Sequence, residues 1–395
     1  MRFGLELLDV ALRWVHVVAA IMWIGNSLLF NWLDRSLRPA AAPRDRSVGE
    51  TWLLHSGGFY QVEKTLALGD VPSHTVHWFK WQAYTTWISG AALLIAVYYA
   101  TGGALLVNPG LSLHPHAASA IGVGVLLGGW LVYEAVWNSR LARFPAVTSA
   151  LCFLLLLALG FALGRVFTGR AAFLHVGALL GTLMAGNVRF HIMTAQRAFV
   201  ASIDSGVPGD ERLPAAAKLR SIHNNYMTFP VVVLMLSSHF PALHSAPSNW
   251  LTLGVLLAGG AGVRHILNVR WTFTPWRPVL AGVIAATLVA LYLITVPRDA
   301  PGAGAGDDGP PVDFATAEAI VRKRCTVCHS TSPADRTFGA PAGAMAFDTP
   351  EQIRAMAERI AARAVLTRTM PPANSTWITE QERSLLGRWA RDEVR

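Results

Sequence analysis

The feature that most constrains this chain is the recurrence of nearly uncharged apolar runs about 20 residues long, the length an α-helix needs to cross roughly 30 Å of hydrocarbon. They fall at residues 9–33, 78–100, 117–137, 145–167, 169–195, 226–245, 249–268 and 276–296. Each must be helical, because an open strand or loop would leave its backbone polar groups unpaired in lipid. Composition agrees: of 395 residues only 14% are charged and 53% are hydrophobic, whereas an average soluble chain is about 25% charged. A purely soluble enzyme, a disordered chain and a disulfide scaffold are thereby excluded. The first run carries Asn26, Asn31 and Asp34 instead of a small-residue cleavage site, so it reads as a retained span. The expected fold is all-α: a polytopic bundle of about eight spans over residues 1–296, followed by a small helical domain.

The net charge of +9 would suggest nucleic acid as a partner in a soluble protein, but here its distribution is a topology signal. Twelve Lys and Arg, from Arg35 to Arg270, fall in one set of connections between spans; the opposite set holds Arg2, Arg165 and Arg170. Short cytoplasmic loops collect basic residues, so both termini are expected outside, and nucleic-acid binding is not expected.

Residues 297–312 form a Pro/Gly/Ala/Asp linker to a terminal domain, 313–395, read as helices at 313–324, 350–364 and 379–395. Thr379-Glu-Gln-Glu382 has the pattern of a capping box. The domain contains Cys325-Thr-Val-Cys328-His329, the C-x-x-C-H pattern that attaches haem c through two thioethers and supplies His329 as iron ligand. Zinc is the poorer reading, because the chain has no second Cys pair. Met is the usual sixth ligand of an electron-transfer cytochrome c. Met370, in Thr369-Met-Pro-Pro372, is the leading candidate; Met345 and Met356 are its rivals, and Met356 lies on a core-facing helix position. Cys152, inside a span, reads as a buried packing thiol.

Ionisable groups inside spans are costly and therefore candidate functional residues. On the outer side, His16, His175 and His239 stand six or seven residues from their helix ends, about 10 Å deep at 1.5 Å per residue. They are candidate ligands of one or two b-type haems, or singly bonded interhelical histidines. The inner side holds His77, Lys80, Glu134, Asn187, Arg189, His191, Arg264 and His265, with His223-Asn224-Asn225-Tyr226 beside the sixth span. Part of this set is expected to snorkel to the interface. The rest would make a donor-rich pocket suited to a planar anion, with Trp78, Trp81, Tyr84 and Trp87 as either stacking surface or interfacial belt.

Four segments, Arg13-Trp-Val-His-Val-Val-Ala-Ala-Ile-Met-Trp-Ile-Gly25, His55-Ser-Gly-Gly-Phe-Tyr-Gln-Val-Glu-Lys64, His77-Trp-Phe-Lys-Trp-Gln82 and Gly186-Asn-Val-Arg-Phe-His191, together with His223-Asn-Asn-Tyr-Met-Thr-Phe-Pro230, resemble the membrane-bound cytochrome c-linked urate oxidases. The resemblance spans essentially the whole chain. It implies oxidation of urate to 5-hydroxyisourate in purine degradation at a bacterial inner membrane. Electrons would pass to the chain's own haem c, and then to a respiratory acceptor such as a soluble cytochrome c or a terminal oxidase. Urate is expected among Arg189, Arg264, Asn187, Asn224 and His77, with Lys80, His191 or His223 as base. A membrane electron conduit without substrate chemistry is the competing class. His175 and His191 are sixteen residues apart, about 24 Å along a helix, too far for one fast electron hop between the two layers.

Overall fold

The structure, a computed structural model, describes residues 2–44, 46–66, 73–100, 106–108, 111, 113–205, 212–244, 248–296, 309–334, 341–374 and 376–394. Eight long helices succeed one another: α1 (Arg2–Ser36), α2 (Trp81–Leu94), α3 (Pro115–Trp137), α4 (Pro145–Val166), α5 (Gly169–Gly186) with its continuation α6 (Met193–Ser205), α7 (Arg212–Ser237), α9 (Asn249–Val269) and α10 (Trp276–Thr295). The short α8 (Pro241–His244) lies between α7 and α9. Among the described residues six helices are long and apolar enough to cross a membrane; α2 and α7 are not among them. The expected linker lies outside the described residues up to position 308.

The sixth expected span differs from its helix. Residues 226–245 do not form one element: α7 starts fourteen residues earlier and stops at Ser237, and Pro241 opens a new helix after a turn. The polar segment Arg212–Asn225 is helical because it packs on α5 and on the turns that follow it, so tertiary contact overrides its hydropathy. The second span also starts later than its apolar run, at Trp81.

The fifth span is the centre of the bundle. Eleven residues of α5 are buried, while α10 buries none. Small residues let neighbours reach it: a Cβ at Gly122 of α3 would lie 2.7 Å from His175 Nε2, and close backbone approach through such residues is the usual packing device between membrane helices. Among the described residues of the bundle two stretches run as π-helix, Ile95–Tyr99 after α2 and Asn187–Ile192 between α5 and α6, and a third, Ala361–Leu366, lies in the terminal unit; isolated π segments widen the helix and recur at functional sites.

One element was not foreseen. Between α1 and α2, β1 (Ser47–His55) and β2 (Gly58–Thr65) form an antiparallel hairpin. Its two-residue turn, Ser56–Gly57, has positive φ at both positions, the primed geometry that matches strand twist. The hairpin end of the bundle and the opposite end, where α10 finishes, are the two faces used below.

The terminal unit packs α11 (Phe314–Arg324) against α14 (Glu380–Glu393), with α12 (Pro350–Ala355) and α13 (Ala357–Ile360) alongside. Trp389, Leu386, Ile353, Ala317 and Val321 fill its core. Thr379 and Glu382 form the expected capping box. Glu382 also accepts from Arg324 Nε at 3.1 Å and Nη2 at 2.9 Å, and Arg324 Nη1 donates to the Thr376 carbonyl at 2.6 Å. Burial opposes ionisation of Glu382, but the Arg324 and Thr379 donors outweigh it and hold the carboxyl below the usual glutamate range. A lowered folded value means that this pair stabilises the unit above the unfolded pKa and stops doing so as pH falls through the acidic range. Acid titration followed by near-ultraviolet circular dichroism of the full chain should therefore show loss of the terminal unit below about pH 4.5. In Arg324→Ala that loss should be less dependent on pH and the unit less stable at pH 7.

Candidate functional site

The polar groups of the hairpin half gather in two connected clusters around α7. In the first, Tyr133 and Glu134 of α3 face Asn187 and His191 of the π segment and Arg220, His223 and Asn224 of α7. The Tyr133 hydroxyl lies 2.7 Å from His223 Nδ1. Asn187 Nδ2 donates to that hydroxyl at 2.9 Å and to Asn224 Oδ1 at 2.9 Å, and Asn224 Nδ2 donates to the Met184 carbonyl at 3.0 Å. Glu134 accepts from His191 Nε2 at 3.0 Å and from Arg220 Nη2 at 3.2 Å. The Arg220 guanidinium also sits over the Tyr133 ring, 4.8 Å from its centroid, and the His223 ring stacks on Trp137 at 4.0 Å. Asn187 and His191 are four residues apart and so share a helix face, which turns both into this cluster.

The second cluster is built on Arg264 of α9, which is fully buried. Its Nε donates to Asn225 Oδ1 at 2.9 Å and its Nη2 to Ser27 Oγ of α1 at 3.2 Å. Asn268 shares the same Asn225 oxygen at 2.6 Å, and the guanidinium stands over Phe229. Among the described residues no carboxylate pairs with Arg264, and its Nη1 has no partner. A buried guanidinium without a counter-charge is costly. Ser27 is one turn from Trp23, which packs with Trp78, Tyr84 and Ile192 around Ala83, Val188 and Met193. Arg264 thus borders an aromatic region made by α1, α2 and the π segment.

The opposite half does not join its three histidines. His175 is fully buried, with Nδ1 donating to the Ala171 carbonyl at 2.7 Å and Nε2 accepting from the Tyr99 hydroxyl at 2.9 Å; both ring nitrogens are engaged. His239 sits in the exposed turn after α7, outside any helix. His16 donates from Nδ1 to the Thr86 carbonyl at 2.9 Å, which leaves Nε2 as a lone pair. That is the arrangement of a metal-ligating histidine oriented by a carbonyl, and it fits an iron ligand better than His175 does. Sequence reasoning missed His244 at this end, buried beside Phe173.

In the terminal unit His329 has the same arrangement. Its Nδ1 donates to the Met345 carbonyl at 3.1 Å, leaving Nε2 free as an iron ligand requires. Burial, with the neighbouring Cys328 adding to it, pushes the Cys325 thiol up to about 12. Met345 already receives Arg359 Nη1 on its sulfur at 3.7 Å, and Met356 packs on the core. Met370 is fixed by its main chain, donating to the Arg363 carbonyl and accepting from Arg383, both at 3.0 Å. The residues present therefore fit a haem c held by Cys325, Cys328 and His329, with Met370 in reserve as sixth ligand. The turn Pro372–Asn374, two residues further on, lies against α8 of the bundle.

Of the expected substrate contacts, Asn187, Asn224 and Arg264 are buried and Arg189 is not: it is exposed, over the adjacent Phe190. His77 and Lys80 precede α2 and do not lie on it; His77 is exposed, edge-on to Phe79, and Lys80 lies 5.8 Å from the Trp81 ring. The run 78–100 takes in Lys80 and begins next to His77, but the helix begins only at Trp81. Tyr133 was not singled out from the sequence, because one tyrosine in an apolar run is ordinary.

Residues 2–295 match the family described as urate oxidase N-terminal. No curated protein and no solved structure matches the chain.

Breaking the buried Arg220–Glu134 pair from one side should be worse than removing both. Arg220→Leu should cost about 3–5 kcal/mol, and the double variant Arg220→Leu with Glu134→Leu should recover at least half of that in a thermal or denaturant melt in detergent. Additive losses would mean the pair does not couple.

Proposed function

The chain belongs to the urate oxidase N-terminal family, and from that premise we propose that it is a membrane-bound oxidoreductase converting urate to 5-hydroxyisourate in purine degradation. The observation that carries this reading is Arg264: a fully buried guanidinium with a free Nη1 and no carboxylate partner among the described residues. Urate is a planar anion near neutral pH with carbonyl and N–H edges. A guanidinium matches such an edge, and the Asn225–Asn268–Ser27 shell holds Arg264 in one orientation. The aromatic residues Trp23, Trp78 and Tyr84 nearby offer stacking surface.

Oxidation removes two electrons and two protons from urate as water adds at a ring carbon. A haem c held by Cys325, Cys328, His329 and Met370 would supply a one-electron acceptor. Support for this route is the thiol and imidazole arrangement of the terminal unit and the contact of the Pro372–Asn374 turn with α8. His16, with its free Nε2, is the residue we assign to a b-type haem inside the bundle; His175 and His239 do not share that arrangement. A respiratory-chain acceptor takes the electrons onward. The charge distribution between connections supports a bacterial inner-membrane location with the N-terminus and terminal unit in the periplasm.

Anaerobic urate added to the oxidised protein in detergent should raise a c-type α-band in the optical difference spectrum. Arg264→Ala should keep its haem c content and raise the KM for urate ten- to hundredfold, the size of a lost charge-assisted hydrogen bond. No spectral change with urate, but reduction by dithionite or quinol, would replace the enzyme with an electron conduit.

A further inference from the structure

The inner cluster contains two histidines whose hydrogen bonds assign their protons, and the assignment starts from a group that cannot change role. The Met184 carbonyl can only accept, so the Asn224 atom facing it at 3.0 Å is the amide nitrogen. Asn224 Oδ1 is then the atom that faces Asn187, at 2.9 Å, and it must receive a hydrogen from Asn187 Nδ2. The second Asn187 Nδ2 hydrogen goes to the Tyr133 oxygen at 2.9 Å. The Tyr133 O–H must therefore donate elsewhere. Its two acceptors are Asn187 Oδ1 at 3.3 Å and His223 Nδ1 at 2.7 Å, and the shorter contact wins. His223 Nδ1 is an acceptor, and a neutral His223 carries its proton on Nε2.

His191 is fixed by the next residue of the same helix. A carboxylate offers only acceptors, so His191 Nε2, 3.0 Å from both oxygens of Glu134, carries a hydrogen. Arg220 Nη2 reaches the same carboxylate, at Oε2. The two rings are thus the same tautomer, yet they present opposite atoms. His191 offers an Nδ1 lone pair, and His223 offers an Nε2–H.

We infer that His191 is the proton acceptor of the inner site and His223 its hydrogen-bond donor, with Glu134 and Tyr133 as the positioning residues that set those roles. This rests on the urate reading for its substrate, but the proton assignment itself does not. When His191 Nδ1 takes a proton from a substrate N–H or from the attacking water, the imidazolium keeps its Nε2–H on Glu134, the carboxylate that it shares with Arg220. His223 cannot take that proton in its neutral form without losing the Tyr133 bond. It instead directs Nε2–H at an anionic or carbonyl oxygen.

Phe190–His191 and Ile222–His223 each occur once as dipeptides in the sequence, so both rings can be assigned without a variant. The test is solid-state NMR of the full chain in bilayers near pH 8.5, with 13C,15N-histidine and carbonyl-labelled Phe or Ile, and no urate present. Both rings should show Nε2–H and an unprotonated Nδ1, whereas His16 and His175 should show Nδ1–H. Tyr133→Phe should shift the His223 pattern and leave His191 alone; Glu134→Gln should do the reverse. In turnover, His191→Gln should lower kcat at least 100-fold, the low end for a lost general base. Gln keeps an N–H donor, so His223→Gln should lower kcat less than His223→Leu and less than His191→Gln. An Nδ1–H on His223, or equal loss in the two Gln variants, overturns the assignment. A wild-type protein that shows these tautomers but does not turn over urate would overturn the substrate reading alone.

Discussion

A helix bearing His175, Asn187 and His191 can stand inside hydrocarbon only if each polar side chain finds a partner on a neighbouring helix. The packing of the bundle follows from that requirement. The α5 helix is enclosed on most sides, and Tyr99, Tyr133, Glu134 and Asn224 come from three different helices to meet it. Helices without such groups, α10 above all, remain at the lipid-facing rim with no buried residue. Asn187 and His191, four apart on one face, meet α3 and α7, while Val188 stays in an apolar cluster with Ala83 and Met193.

Electrostatics then separates two kinds of buried cation. Arg220 is paired with Glu134, although its own Nη1 is also left without a partner among the described residues. Arg264 has only neutral oxygens around it and one nitrogen left over. In a low-dielectric interior this difference is large: the first guanidinium has a carboxylate beside it, while the second has none among the described residues. Both lie in the half of the bundle where α7 begins, joined through the consecutive residues Asn224 and Asn225.

The terminal unit belongs at the opposite end, because α10 delivers the chain there and the Pro372–Asn374 turn meets α8. The depth of the bundle therefore separates the anion cluster from the C-x-x-C-H motif. The uninterrupted helix from Gly169 to Ser205 keeps His175 and His191 about 24 Å apart, at 1.5 Å per residue. His16, with its free Nε2, lies in the same half as His175.

The helical bundle, the family, the terminal motif with its capping box, and Arg264, Asn187, Asn224, His191 and His223 as polar residues of one half are all legible along the chain, because hydropathy, charge placement and covalent motif spacing are local properties. Which atom each residue has left to offer depends instead on its partners in the fold. His16 and His175 look alike in sequence, yet Tyr99 occupies the second nitrogen of one and not of the other. Arg189 and Arg264 are equally charged, yet one faces outward while the other is sealed in without a carboxylate. The hairpin and the early start of α7 escaped the hydropathy pattern for the same reason. Their stability comes from pairing with residues distant in the chain, and a hydrogen bond or a helix face is specified by both partners at once.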